Sequence, residues 1–190
     1  MRPRYSLDNE PPTAHQRRPA YARDDDWIRT FLRRGNVAHL GTRWDDQPFV
    51  TPTNYYYDEA GERLVFHSNV TGRLRANIAR HSEACAEISE FGRLLPSNIA
   101  LEFSLQYRSV MVFGKVHLVE DAAEQARLLH ALVAKYFPNL EAGKHYRPVT
   151  LKELKRTTVY GLTIESWSGK ENWKDRADQS DDWPPLDSQL

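Results

Sequence analysis

The chain has 190 residues, one domain on a scale of ~100–200 residues per domain, and its size lets it stabilise a core without a metal or disulfide staple. Its 26 basic and 26 acidic side chains cancel, which argues against nonspecific nucleic-acid binding and against attraction to an anionic membrane. The single cysteine, Cys85, excludes an internal disulfide framework and fits a reducing compartment. No stretch approaches the ~20 apolar residues of a membrane span, and MRPRYSLDNEPP lacks the apolar run of a signal peptide, so a cytoplasmic protein is expected.

Residues 1–22 carry four prolines and four arginines with little apolar periodicity, and read as an extended arm. Asp24, Asp25 and Asp26 cap and charge a helix of about ten residues, with Trp27, Ile28, Phe31 and Leu32 on its inner face and Gly35 closing it. Asn36 to Trp44 reads as a strand that Asp45-Asp46-Gln47 turns back. The next stretch alternates Thr51, Thr53, Tyr55 and Tyr57 with Val50, Pro52, Asn54 and Tyr56, the two-residue period of a strand. A turn over 58–62 offers Gly61 for a positive φ, and Arg63 to Ser68 alternates again, Leu64 and Phe66 against Val65 and His67. Asn69-Val70-Thr71-Gly72-Arg73 opens a helix, with Thr71 as expected N-cap and Leu74 and Ile78 as its buried pair. Free N–H groups, a hydroxyl, a glycine and an arginine at a helix start suit a phosphate.

Further on, Glu83 to Phe91 reads as a strand and Gly92 to Asn98 as a loop. Ile99 to Glu120 is apolar in alternation for longer than one strand usually runs, which predicts a break near Gln106-Tyr107. Asp121 and Glu124 form a capping box ahead of a helix whose stripe holds Leu128, Leu132 and Tyr136. Thr150 caps a short helix, Thr157 to Trp167 is the last core strand, and the acidic segment 177–190 reads as a flexible tail. Strands joined by short turns favour antiparallel pairing, hence a mainly β, α+β architecture closing into a small barrel rather than a doubly wound sheet.

Four ordered segments carry a resemblance. FHSNVTGR resembles the strand-to-helix motif of the pyridoxamine 5′-phosphate oxidase superfamily, and DDQPFVTPTNYYYDEAG its preceding hairpin. YRSVMVFGKVHLVED resembles its long strand, and IESWSGKENWKDR its late aromatic and basic motif. Spacing and missing basic residues are closest to the diverged, nitroimidazole-reductase-like branch. The resemblance implies a Greek-key split β-barrel over residues 23–176, with FMN held noncovalently between the two protomers of a homodimer.

Carried over by position, His67 and Ser68 face the ring and ribityl chain beside Phe66 and Thr71. Gly72 and Arg73 hold the phosphate with Leu74 behind them. Thr53 and Asn54 lie on the strand passing the ring, while Ser109, Trp167 and Arg176 supply late contacts, Ser109 from the facing protomer. The oxidase's second phosphate lysine is Leu74 here, and residues 172–174 lack its histidine, which argues against the vitamin oxidase reaction.

The residues themselves offer no other chemistry. One cysteine rules out paired-cysteine zinc, no histidine pair has metal spacing, and no nucleophile elbow or Walker loop is present. A cofactor that carries the reaction fits such a chain. The expected function is an FMN-dependent oxidoreductase of a small aromatic or conjugated substrate; the alternatives are a flavin- or haem-binding module without turnover, or the vitamin oxidase itself.

Overall fold

The computed structural model describes residues 18–186. Most of the 1–22 arm and the last four tail residues lie outside that range. A 3-10 turn (Pro19–Tyr21) leads to β1 (Ala22–Arg23) and α1 (Asp25–Arg34). Four strands follow: β2 (Ala38–Trp44), β3 (Gln47–Thr53), β4 (Tyr56–Asp58) and β5 (Arg63–Asn69). Then come α2 (Arg73–Arg80), β6 (Glu83–Leu95), β7 (Ser104–Leu118), α3 (Ala122–Tyr136), α4 (Leu151–Leu154) and β8 (Thr157–Asn172). The strands form one antiparallel sheet in the order β3-β2-β6-β7-β8-β5-β4, with β1 on β8. This is a split-barrel α+β fold, its sheet open between β3 and β4. No described helix is long and apolar enough to cross a membrane.

The core lies inside the curl, where Leu40, Leu64, Phe66, Ile88, Val110, Val112, Tyr160 and Leu162 meet Ile28, Phe31 and Leu32 of α1. Helix α1 follows its sequence signals. Asp24 accepts from the Trp27 N–H at 2.9 Å, and Gly35 ends the helix. Glycine is needed there for close approach rather than for a left-handed φ. A Cβ would sit 2.5 Å from the Ile88 Cγ2 and 2.7 Å from the Tyr55 hydroxyl.

The alternating run from Val50 to Tyr57 is not one strand. It breaks at Asn54-Tyr55, and its halves become the two opposite edges of the sheet. Side chains replace the lost ladder bonds at fully buried Tyr55. The Tyr55 N–H donates to the Tyr136 hydroxyl at 3.0 Å, its carbonyl accepts from Lys135 Nζ at 2.9 Å, and its own hydroxyl donates to the Leu32 carbonyl at 2.7 Å. Burial pulls the Lys135 ammonium down to about 7, while the Tyr55 ring 3.4 Å away favours the cation.

Other boundaries also move. The positive φ of the 58–62 turn falls on Glu62, not Gly61. Strand β6 continues to Leu95 past an irregularity between Phe91 and Leu94, so Gly92 to Leu95 is not loop. Strand β7 starts at Ser104 and is not broken at Gln106-Tyr107, but its register with β6 shifts there, and its register with β8 shifts at Phe113/Gly114. There a Cβ on Gly114 would stand 1.8 Å from the Thr163 carbonyl oxygen, a contact only glycine permits. Strand β8 runs five residues beyond Trp167. Residues 177–186, read as flexible tail, are tied to the turn after β6. Asn98 Nδ2 donates to the carbonyls of Ser180, Trp183 and Pro184, and Ser97 Oγ donates to that of Asp178 at 2.6 Å.

Only half of the Asp121 capping box forms. Asp121 accepts from the Glu124 N–H at 2.7 Å, but the Glu124 carboxylate turns to Arg127 (2.7 Å) and Arg63 (2.5 Å). Hydrogen bonds from Arg127, then from Arg63, hold Glu124 at about 2 against an ordinary 4.5. A carboxylate lowered on folding stabilises the folded state above its unfolded pKa, and that contribution is lost as pH falls toward the folded value. Acid unfolding followed by circular dichroism is therefore expected to steepen between about 4.5 and 2, and Glu124→Gln to flatten that limb; an unchanged profile would show that solvent screens the cluster.

Candidate functional site

The end of β5 and the start of α2 form a short, open junction. Phe66 is buried and stacks on Tyr160 with ring centroids 5.1 Å apart. Ser68, two residues on and so on the same face, sits 3.0 Å from the Tyr160 hydroxyl and donates to the Asn69 carbonyl at 2.9 Å. His67 takes the opposite face, that of Val65, which packs with Val119, Leu128 and Val159. Burial pushes the His67 imidazole below its usual range, so it is neutral at pH 7, and its Nδ1 has no hydrogen-bond partner among the described residues.

At the last residue of β5, Asn69 Oδ1 accepts from the Thr71 N–H at 3.1 Å and lies 3.3 Å from its hydroxyl. Thr71 is therefore engaged in a local turn and is not the N-cap of α2. That position belongs to Gly72, at φ 132°, a conformation other residues rarely adopt, and nothing lies within 4 Å of where its Cβ would be. No side chain among the described residues caps α2, which leaves its first N–H groups for another acceptor. Arg73 is exposed, with its guanidinium 5.1 Å above the Phe49 ring and no carboxylate partner among the described residues. Leu74 is half-buried against the core.

Phe49, Thr51 and Thr53 share the half-buried face of β3, whereas Asn54 is exposed just past the strand end. Two residues behind the junction escaped sequence reasoning. Asn77, buried on α2, donates to Thr42 Oγ1 at 3.1 Å and fastens the helix to β2; a polar residue in a helix gives no sequence signal of burial. Tyr160 is fully buried, and an aromatic with a polar tip inside an apolar strand was the available signal.

The remaining candidates lie elsewhere. His67 pairs with Val159 at one end of β8, while Ser109 pairs with Lys170 near the other. Those partners are eleven positions apart, on the order of 30 Å of strand. Ser109, Met111 and Phe113 point to the outer face of the sheet, opposite buried Val110 and Val112. Trp167 turns toward α1, donating its indole N–H to Asp25 at 2.8 Å with Arg29 stacked on its ring. Arg176 is exposed beyond β8. One protomer thus gathers the phosphate-side candidates and leaves the late ones apart. Among the described residues, no group of three His, Cys, Asp or Glu is placed to hold a metal ion.

An open antiparallel split barrel with a cationic strand-to-helix junction defines the class of flavin-binding split barrels. The sequence profile described as pyridoxamine 5′-phosphate oxidase matches residues 24–171, and the chain belongs to that family. A search of curated proteins found no match. Among solved structures, the flavocytochrome Anf3 from Azotobacter vinelandii superposes with a TM-score of 0.76 at 28% identity, over 90% of this chain and 77% of that one. An FAD- and haem-binding protein from Mycobacterium smegmatis gives 0.72 at 23%, over 84% and 76%. A putative 5-nitroimidazole antibiotic resistance protein from Bacteroides thetaiotaomicron gives 0.65 at 21%, over 78% and 84%.

Proposed function

We propose that the protein is a cytoplasmic FMN-dependent oxidoreductase acting on a small aromatic or conjugated molecule, as a homodimer with two equivalent flavin sites. The observation that carries this reading is Arg73: a cation with no carboxylate partner among the described residues, beside left-handed Gly72 at an uncapped helix start, in a flavin-binding family. These groups fit a phosphomonoester, since the guanidinium fork and the free N–H groups both donate. The bound flavin would supply hydride transfer. Arg73 and the start of α2 would hold its phosphate, and the hydroxyls of Ser68 and Thr71 its ribityl chain. His67 would present its backbone to the ring, its neutral side chain lying on the opposite face of β5. Ser109, Trp167 and Arg176 would come from the partner, with Thr53, Asn54, Phe66 and Leu74 shaping the near wall. Leu74 in place of a second phosphate-binding lysine, and the absence of histidine at 172–174, set the substrate apart from the phosphorylated vitamin.

A second reading, flavin together with haem, is favoured by one feature. His67 Nδ1, without a hydrogen-bond partner among the described residues, is a nitrogen of the kind that binds iron, and the 28% identical neighbour is a flavocytochrome. The absorption spectrum of the purified protein separates the two: flavin bands alone support the first, an added Soret band the second. Chromatography of the released flavin tells FMN from FAD. Reduction by NADH or NADPH and reoxidation by a nitroaromatic or quinone is then expected, and a flavin that no donor reduces would overturn the enzyme assignment.

A further inference from the structure

Away from the β5–α2 junction, a cleft of about 170 Å³ opens between α1, β4 and β8, walled by Tyr57, Ile164 and Trp167 and holding one arginine, Arg29. That side chain is positioned on two sides. Its Cζ lies 4.8 Å from the Trp167 ring centroid, and its Nη1 donates to the Tyr57 hydroxyl at 3.0 Å. Trp167 is itself fixed by its indole bond to Asp25. No carboxylate of the described residues makes an ion pair with Arg29, so most of its five donors stay available beside the cleft.

A guanidinium lying over an indole, with no ion pair among the described residues and only the longer-range fields of Glu59 and Asp25 acting on it, keeps donors free for a ligand. Its fork matches a planar carboxylate or a phosphate. Two acidic residues at the rim, Glu62 and Glu165, decide between them. Glu165 is only loosely met by Lys115 at 4.0 Å, and no ion pair is made by Glu62 among the described residues. Their field repels a dianion more than a monoanion, which disfavours phosphate. The volume falls below the ~300–1,000 Å³ of sites for drug-sized ligands, room for one substituted ring, and the Trp167 and Ile164 walls favour an apolar, planar one.

The geometry points to a binding site for a small aromatic monocarboxylate, its carboxylate on Arg29 and its ring beside Trp167. This site shares Trp167 with the proposed partner-side flavin contacts but takes nothing from the β5–α2 junction, so benzoate binding and flavin binding can fail separately. Benzoate is the probe, titrated into the full chain and followed by saturation-transfer NMR and by tryptophan fluorescence. Binding in the millimolar range is expected for so small a ligand. Inorganic phosphate at equal ionic strength should not compete.

Arg29→Gln removes the charge-assisted pair and is expected to weaken binding about tenfold or more. Glu165→Gln changes an exposed rim residue and should tighten binding about two- to threefold by relieving repulsion, which tests the site even if the Arg29 variant folds poorly. Wild-type protein that ignores benzoate would overturn the proposal. So would phosphate competing as well as benzoate does, or affinity unmoved in both variants.

Discussion

Arg73→Ala is expected to lose at least tenfold in flavin affinity while keeping its fold. The side chain is exposed and lies over the Phe49 ring, with no ion pair among the described residues, so its removal takes little from the folded state. Its value lies in the charge-assisted hydrogen bond it would give to a phosphate, about 1.5–3 kcal/mol. Gly72 and the uncapped N–H groups of α2 remain in the variant, so binding should weaken rather than vanish. Arg73→Lys keeps the charge but not the fork, and should fall between the two. Quenching of flavin fluorescence on titration measures all three. Equal affinity in a correctly folded alanine variant would remove Arg73 from the phosphate site and leave that role to Arg75, half-buried and without an ion pair among the described residues.

The parts of this fold that were legible in the sequence are those with local causes. Helix α1 could be placed because its cap, acidic first turn and apolar stripe all lie within eleven residues. Thr150 announced α4 as its cap, and the structure adds Glu153 to complete a capping box. The family motifs located the β5–α2 junction for the same reason, being contiguous. What stayed hidden was set by distant contacts. The break at Asn54-Tyr55 carries no proline or glycine; it is held by Tyr136 and Lys135, some eighty residues away, and by the Leu32 carbonyl. Thr71 looked like a cap until Asn69 claimed its N–H, leaving the position to Gly72. Trp167 was rightly placed in the last core strand, though not at its end, and its contacts with Asp25 and Arg29 follow from how β8 crosses α1, which no short window encodes.

Replacing Met111 or Phe113 by Asp is expected to abolish dimer and flavin together. Both residues lie on the outer face of β7, beside Cys85 and Glu87 of β6 and Ser166 and Ser168 of β8, a face that is mostly small or apolar. Their neighbours Val110 and Val112 are fully buried in the barrel, so a charge at 110 or 112 would unfold the chain whereas one at 111 or 113 leaves the core intact. Around the adjoining β6–β7 connection, Phe91, Leu94, Leu101 and Phe103 are 60–93% exposed, more large apolar surface than one region of a monomer usually shows to water. A second copy would cover it. In a two-fold interface the same patch meets itself, so one substitution buries two unpaired carboxylates, several kcal/mol in total. At position 111 the new charge would also face Glu87 directly across the ladder. Ser109 lies on this same face, so losing the partner would remove its contribution to each flavin site. Light scattering at micromolar concentration, read beside the flavin-to-protein absorbance ratio, checks both outcomes. A wild-type monomer of 22.1 kDa that holds one flavin per chain would overturn the shared site, as would an Asp variant that keeps its flavin after the dimer is gone.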